Sequence, residues 1–145
     1  MAQARNFTGR VALVTGGGSG IGRATALAFA EVGAKVVIAD VDGDNGNGTA
    51  SQIRKSGREA LFLKTDVASA SQVEHLIGEI ISLYGRLDFA HNNAGIEGEP
   101  AKVHDCTEEN WDRVINVNLK SVWICMKHEL PPMISQGCLL YTSDA

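Results

Sequence analysis

Apolar positions along the chain alternate between short continuous runs, which are typical of buried strands, and runs with helical spacing. Four strands are predicted, at Val11–Val14, Lys35–Asp40, Ala60–Leu63 and Leu87–Ala90. Helical patterns follow each of them, and strands that alternate with helices build a parallel sheet covered on both faces. The fold class predicted is α/β, a Rossmann-type doubly wound parallel sheet in three α/β/α layers.

Glycines shape the predictions for the first two helices. The first helix begins at Gly20, and Gly33 is placed to close it in a left-handed conformation. The second spans residues 42 to about 57 but contains Gly43, Gly46 and Gly48. Each glycine costs roughly 1 kcal/mol relative to alanine inside a helix, so we expect loose first turns.

The third helix has the clearest apolar face, formed by Val73, Leu76, Ile77, Ile80, Ile81 and Tyr84. Ser71 and Glu74 have the spacing of a capping box, and Gly85 ends the helix. A long amphipathic helix follows, with Thr107 as its N-cap. Its predicted apolar face is Trp111, Val114, Ile115, Leu119, Val122 and Met126, and Pro131 and Pro132 should kink or end it.

Composition and net charge limit the classes of binding partner that we expect. The 145 residues are 44% hydrophobic and 21% charged, as expected of one soluble domain, and the net charge of -4 disfavours nucleic acid or an anionic membrane. Without an apolar leader or a bilayer-length apolar run, the expected location is cytoplasmic. The three cysteines lack CxxC spacing, and a calcium loop that starts at Asp40 would need glycine and glutamate where the chain has Asn45 and Ser51, so no metal is expected.

A glycine-rich turn joins the first strand to the first helix. Residues 15–22 read TGGGSGIG, and such a turn lets a pyrophosphate approach backbone N–H groups at a helix N-terminus. The alternative is a tight turn that serves helix packing alone. The candidate coenzyme-binding residues here are Thr15, Gly16, Ser19, Gly20, Ile21 and Gly22.

Asp40 ends the second strand, 24 residues after Gly16. A carboxylate at this point accepts hydrogen bonds from the adenosine ribose hydroxyls and repels a 2'-phosphate, which favours NAD over NADP. Arg23 and Arg54 are the basic residues that could reach such a phosphate. The alternative for Asp40 is that it starts the next turn.

The spelling of the turn resembles the TGxxxGxG motif of short-chain dehydrogenases, and three further motifs follow in that family's order. Asp66 and Val67 resemble the pair that holds the adenine ring. Asn92–Gly95 (NNAG) resembles the signature that braces the sheet and lines the coenzyme pocket, which makes Asn93, Ala94 and Gly95 candidate binding residues. An Asx turn is the structural alternative for these asparagines.

The fourth motif, WDRVINVNL from Trp111 to Leu119, resembles the family segment whose asparagine is the catalytic candidate Asn118. The resemblance implies that Asn118 holds a water in the proton relay, whereas a polar group at a helix kink is the alternative. It also implies hydride transfer between NAD and a secondary alcohol or carbonyl, a small-molecule alcohol or ketone as substrate, and a homo-tetramer or dimer.

The family's catalytic serine, tyrosine and lysine are not matched. Tyr84 and Tyr141 are followed four residues later by Asp88 and Ala145, so neither forms YxxxK. The chain is therefore expected to be a partial NAD-binding domain, residues 1–145, truncated after the fourth strand and long helix and itself inactive. A non-catalytic NAD-binding module is the competing interpretation.

The last eight residues depart from the family pattern. Cys138–Ala145 (CLLYTSDA) matches the translation of a common sequencing adapter. We expect this tail to be non-native and give Ser143 no catalytic role.

Overall fold

The computed structural model describes residues 6–137, so the predicted non-native tail, with Tyr141 and Ser143, lies outside the described residues. Strands and helices alternate as predicted. The strands are β1 (Val11–Thr15), β2 (Lys35–Asp40), β3 (Ala60–Lys64) and β4 (Phe89–Asn92). The helices are α1 (Gly20–Glu31), α2 (Gly43–Lys55), α3 (Ala70–Tyr84), α4 (Glu108–Ile115) and α5 (Ser121–Ser135), with a 3-10 turn at Val103–Asp105.

All four strands are parallel, in the spatial order β3-β2-β1-β4. Alternate residues of each strand point to opposite faces, so the sheet has two cores. Val11 and Leu13 pack with α3 and α5, whereas Val14 packs with α1 and α2. The predicted three-layer α/β/α fold is therefore confirmed, and the carboxyl ends of β1 and β2 lie side by side.

The prediction of loose first turns in α2 is wrong. The helix begins at Gly43, and the Asp42 side chain caps it by accepting a hydrogen bond from the Asn45 N–H at 3.0 Å. Gly46 is required by packing, because a Cβ there would lie 2.1 Å from the Phe62 ring. Tertiary contact with β3 therefore outweighs the low helix propensity of glycine.

Two predicted boundaries are also wrong. Ser69, not Ser71, is the N-cap of α3, and no side chain caps that end, so the expected capping box with Glu74 is absent. The fourth strand starts at Phe89, two residues later than predicted. The Gln136 side chain binds both backbone polar groups of Leu87, at 2.8 and 2.9 Å, which takes that residue out of strand pairing.

The predicted long helix is continuous from α4 through α5 but contains a π-helical turn at Asn116–Lys120. A π-turn takes one extra residue and rotates the rest of the helix about its axis. The predicted apolar face is wrong: Trp111 is 63% and Leu119 64% exposed, whereas Ile124 and Cys125 are buried on a side of the helix that also carries the buried polar residues Ser121 and Glu129.

Pro131 and Pro132 lie inside α5, which continues to Ser135. Of the two predicted outcomes, a kink or an end, the end is wrong, and the contacts of Gln136 with Leu87 and of Met133 with the core stabilise the last turn.

Candidate functional site

A cleft of about 730 Å³ opens at the carboxyl ends of the strands. It collects most of the predicted binding residues: Gly16, Ser19, Gly20, Ile21, Asp40, Asp66, Val67, Asn93, Ala94 and Gly95. The crevice beyond the carboxyl ends of parallel strands is where open α/β sheets bind ligands. Residues separated by up to 79 positions in sequence therefore meet at one site.

The wall formed by the glycine turn depends on close backbone approach. Gly16 has a φ of +64°, and a Cβ on it would lie 2.8 Å from the Ala94 Cα. A Cβ on Gly22 would lie 2.1 Å from the Gly16 carbonyl oxygen. Only glycine fits at either position. Because no side chain intervenes, the first turn of α1 packs directly against the glycine turn. Gly22 itself is buried, so it packs against the turn and does not line the cleft.

The N-terminus of α1 is open to an anion. Its N-cap, Ser19, makes no side-chain capping bond, and its first turn carries no acidic residue. The first N–H groups of a helix have no intrahelical partner, and the helix dipole favours negative charge there. Ser19, Gly20 and the 74%-exposed Ile21 all line the cleft at this end.

Thr15 links the glycine turn to the NNAG turn by hydrogen bonds. Its side chain is buried, and its Oγ1 accepts hydrogen bonds from the N–H groups of Asn93 at 3.0 Å and Ala94 at 3.2 Å. Asn93 returns the contact, since its Nδ2 donates to the carbonyl oxygens of Thr15 and Gly16 at 3.1 and 3.3 Å. The NNAG turn is thereby fixed against the glycine turn. Thr15, a predicted coenzyme-binding residue, does not line the cleft but holds these two turns together.

Asp40 lies at the edge of the cleft, and backbone N–H groups fix the orientation of both carboxylate oxygens. Its Oδ2 accepts from the Gly18 N–H at 2.8 Å, and its Oδ1 accepts from the Asp42 N–H at 3.0 Å. Each oxygen keeps a further lone pair for another donor. Among residues 6–137, neither Arg23 nor Arg54 forms an ion pair with Asp40: Arg23 Nε donates to Thr49 Oγ1, and Arg54 donates to the Ala60 carbonyl.

Asp66 and Val67 follow β3 on the same side of the cleft. The Asp66 side chain is exposed, and its Oδ1 accepts from the Ala68 N–H at 2.9 Å, whereas Val67 is buried. The charged residues that line the cleft are Asp40, Asp66 and Glu97, all acidic. The cleft wall therefore repels additional negative charge except where the helix dipole opposes it.

Asn118 lies in the π-helical turn and does not line the cleft itself. Its amide exchanges two hydrogen bonds with the backbone of Ile96, which does line the cleft. One amide hydrogen stays available for a further acceptor. The sequence interpretation missed Ile96, Thr65 and Val117, although Ile96 directly follows the NNAG motif.

Within residues 6–137 no three His, Cys, Asp or Glu side chains converge as a metal site requires. No helix in the same range is long and apolar enough to cross a membrane.

Comparison with solved structures supports the fold. An NAD+-bound xylitol dehydrogenase is 34% identical with a TM-score of 0.86, over 90% of this chain and 50% of that one. A metagenomic short-chain oxidoreductase in complex with NADP is 30% identical with a TM-score of 0.86, over 90% of this chain and 59% of that one.

A curated relative, the short chain dehydrogenase/reductase astE of Aspergillus oryzae, is 41% identical over 133 residues, which is 91% of this chain and 51% of the relative. The chain thus spans about half the length of the curated relatives that it matches. The family model described as short chain dehydrogenase matches residues 10–143. The chain therefore belongs to the short-chain dehydrogenase family.

Proposed function

We propose that the cleft binds NAD, and that the complete protein transfers a hydride between NAD and a secondary alcohol or carbonyl. The observation that carries the proposal is the placement of the open α1 N-terminus and the Asp40 carboxylate in one cleft. A dinucleotide presents a diphosphate and a ribose diol, and these two features of the cleft match those groups in chemistry. When bound, the nicotinamide supplies the hydride chemistry.

The residues assigned to the coenzyme divide along the cleft. Ser19, Gly20 and Ile21 take the diphosphate, and Asp40 takes the adenosine ribose. Asp66 and Val67 take the adenine, and Ala94 and Gly95 contact the coenzyme beside the glycine turn, against which Asn93 holds the NNAG turn.

Acidic charge at the adenosine end supports NAD over NADP. A 2'-phosphate would meet Asp40 and Asp66 without a basic residue in the cleft lining. Arg23 lies near the Asp40 end through its bond to Thr49, but that bond directs its Nε into the fold. Relatives of known structure include proteins with either coenzyme, so the choice for this chain depends on these residues.

The proton-transfer groups of the reaction are assigned to residues that this sequence does not contain. Tyr84 is unsuited to act as the base, because burial, followed by the negative charge of Glu59, raises its pKa above the ordinary value. Asn118 is proposed to join the relay through its remaining amide hydrogen. A non-catalytic NAD-binding module is the second candidate, since the described residues form a binding cleft whichever proton-transfer groups the complete protein carries.

We also propose a small alcohol or ketone as substrate, a cytoplasmic location, and self-association as a dimer or tetramer. The support for self-association is an exposed apolar set on α4, the π-turn and α5, comprising Trp111, Leu119, Trp123 and Met126. Their exposed fractions run from 41% to 64%.

Calorimetric titration with NAD tests the binding proposal on the chain itself. We expect saturable binding that is tighter than for NADP, and absence of any nicotinamide-coenzyme affinity would refute it. The complete gene distinguishes the two candidates. A serine followed about a dozen residues later by YxxxK, with NAD-dependent alcohol oxidation by the full-length protein, supports the enzyme. Their absence supports the binding module.

A further inference from the structure

A buried carboxyl group faces the NNAG turn from the helix side. Glu129 on α5 is 3% exposed, although it carries an ionisable group. Its Oε2 accepts a hydrogen bond from Asn92 Nδ2 at 2.9 Å. Asn92 ends β4 and immediately precedes Asn93, whose side chain holds the glycine turn. Glu129 therefore reaches the coenzyme cleft through two consecutive asparagines.

Each partner of this pair has one buried oxygen left over. Among residues 6–137, Glu129 Oε1 and Asn92 Oδ1 are both shielded from solvent and without a hydrogen-bond partner when both are counted as acceptors. Burying these two acceptor oxygens without partners is unfavourable, because each has lost its hydrogen bond to water. A proton on Oε1 removes both defects at once, since the hydroxyl becomes a donor and Asn92 Oδ1 accepts from it.

We propose that Glu129 is protonated in the folded protein and forms a two-bond cyclic pair with Asn92, with Oε1–H donating to Oδ1 and Nδ2–H donating to Oε2. Glu129 is then a positioning residue, because it fixes the end of β4 that carries the NNAG turn. The pair forms within the described fold, so it stands whether or not the cleft binds NAD.

The surroundings of Glu129 favour the neutral form. Burial raises its pKa above the ordinary 4.5, and the bond from Asn92 opposes this in part. Cys125, one turn earlier on α5, is the titratable neighbour, and it is itself buried. On β4, His91 points to the opposite face from Asn92, and the face of α3 that packs towards α5 consists of Val73, Leu76, Ile77 and Ile80. None of the ion pairs among residues 6–137 includes Glu129, so no described cation offsets a carboxylate there.

Glu129→Gln is the informative variant, since its amide supplies one donor and one acceptor in the same shape as the protonated acid. Urea unfolding is measured from about pH 5 to pH 9 for the wild type, Glu129→Gln and Glu129→Leu, with Glu109→Gln on exposed α4 as the control. A raised pKa in the folded state means that its contribution is complete below the unfolded-state pKa and is lost as pH rises. The wild type should therefore lose stability relative to Glu129→Gln with increasing pH, and Glu109→Gln should follow the wild type.

Glu129→Leu removes both hydrogen bonds and should be less stable than Glu129→Gln throughout the range. Carbon-13 NMR of labelled glutamate supplies an independent signature, because the Glu129 carboxyl signal, assigned by its loss in Glu129→Gln, should titrate above the exposed glutamates. A signal that titrates at or below theirs, or a wild type that gains stability over Glu129→Gln as pH rises, would show a charged Glu129 and overturn the proposal. NAD titration of the same variants is a separate readout, and weak NAD binding by the wild type would count against the proposed function alone.

Discussion

Asn118 and Ile96 are joined by a reciprocal pair of hydrogen bonds: Asn118 Nδ2 donates to the Ile96 carbonyl at 2.9 Å, and the Ile96 N–H donates to Asn118 Oδ1 at 2.8 Å. The pair ties the π-helical turn to the segment that comes after the NNAG motif. It satisfies two backbone groups that lie outside regular secondary structure. A side chain predicted to serve catalysis is thus also a structural clamp on the cleft wall.

Asn118→Leu tests this clamp. It leaves both backbone groups of Ile96 without their partners, so the free energy of unfolding should fall by about 1–2 kcal/mol, and NAD affinity should fall with it. Asn116→Leu, at an exposed position of the same turn, is the control and should change stability by less than about 0.5 kcal/mol. Denaturant unfolding measures both variants. Equal stabilities of Asn118→Leu and the wild type would show that the clamp contributes nothing.

Asp40→Arg tests the assignment of the adenosine end. The substitution removes a carboxylate that repels a 2'-phosphate and adds a cation that attracts it, so preference should shift from NAD towards NADP. Calorimetric titration with both coenzymes gives the ratio of the two affinities. Asp44→Arg is the matched control, because it makes the same charge change in the exposed first turn of α2, outside the cleft lining. If both variants shift the ratio equally, the effect is one of net charge, and the role given to Asp40 is wrong.

The glycines of α2 are expected to respond in opposite directions to alanine. At Gly46 a Cβ would collide with the Phe62 ring, so Gly46→Ala should destabilise the protein by about 1–3 kcal/mol. At Gly48 nothing lies within 4 Å of the new Cβ, so Gly48→Ala should stabilise it by about 0.5–1 kcal/mol. Thermal unfolding of the two variants decides the matter, and a stabilising Gly46→Ala would contradict the packing described for β3.

The two described cysteines should differ in reactivity. Burial raises the pKa of Cys125 to about 12, so the thiolate that reacts with alkylating agents is scarce at neutral pH. Cys106 is partly exposed. Iodoacetamide on the native protein, followed by peptide mass mapping, should modify Cys106 first and Cys125 only after unfolding. Fast modification of Cys125 in the native state would show that α5 opens readily.

The sequence was sufficient where a local rule determines the outcome. Buried parallel strands need continuous apolar runs, so β1 and β2 could be located almost to the residue. Gly33 and Gly85 were identified as helix ends because positive φ favours glycine, and both have it. The glycine turn and Asp40 could be assigned to one site, since the carboxyl ends of neighbouring parallel strands meet at the same edge of a sheet.

Only the tertiary structure decided the remainder, because the causes lie in distant residues. Gln136 takes Leu87 out of β4 from 49 positions away, and Phe62 accounts for Gly46 from a neighbouring strand. Trp111 and Leu119 are exposed whereas the polar Ser121 and Glu129 are buried, which the apolar periodicity along the chain does not reveal. The link from Glu129 to Asn92 likewise joins a helix to a strand, and the burial that holds its proton exists only once the two elements have packed.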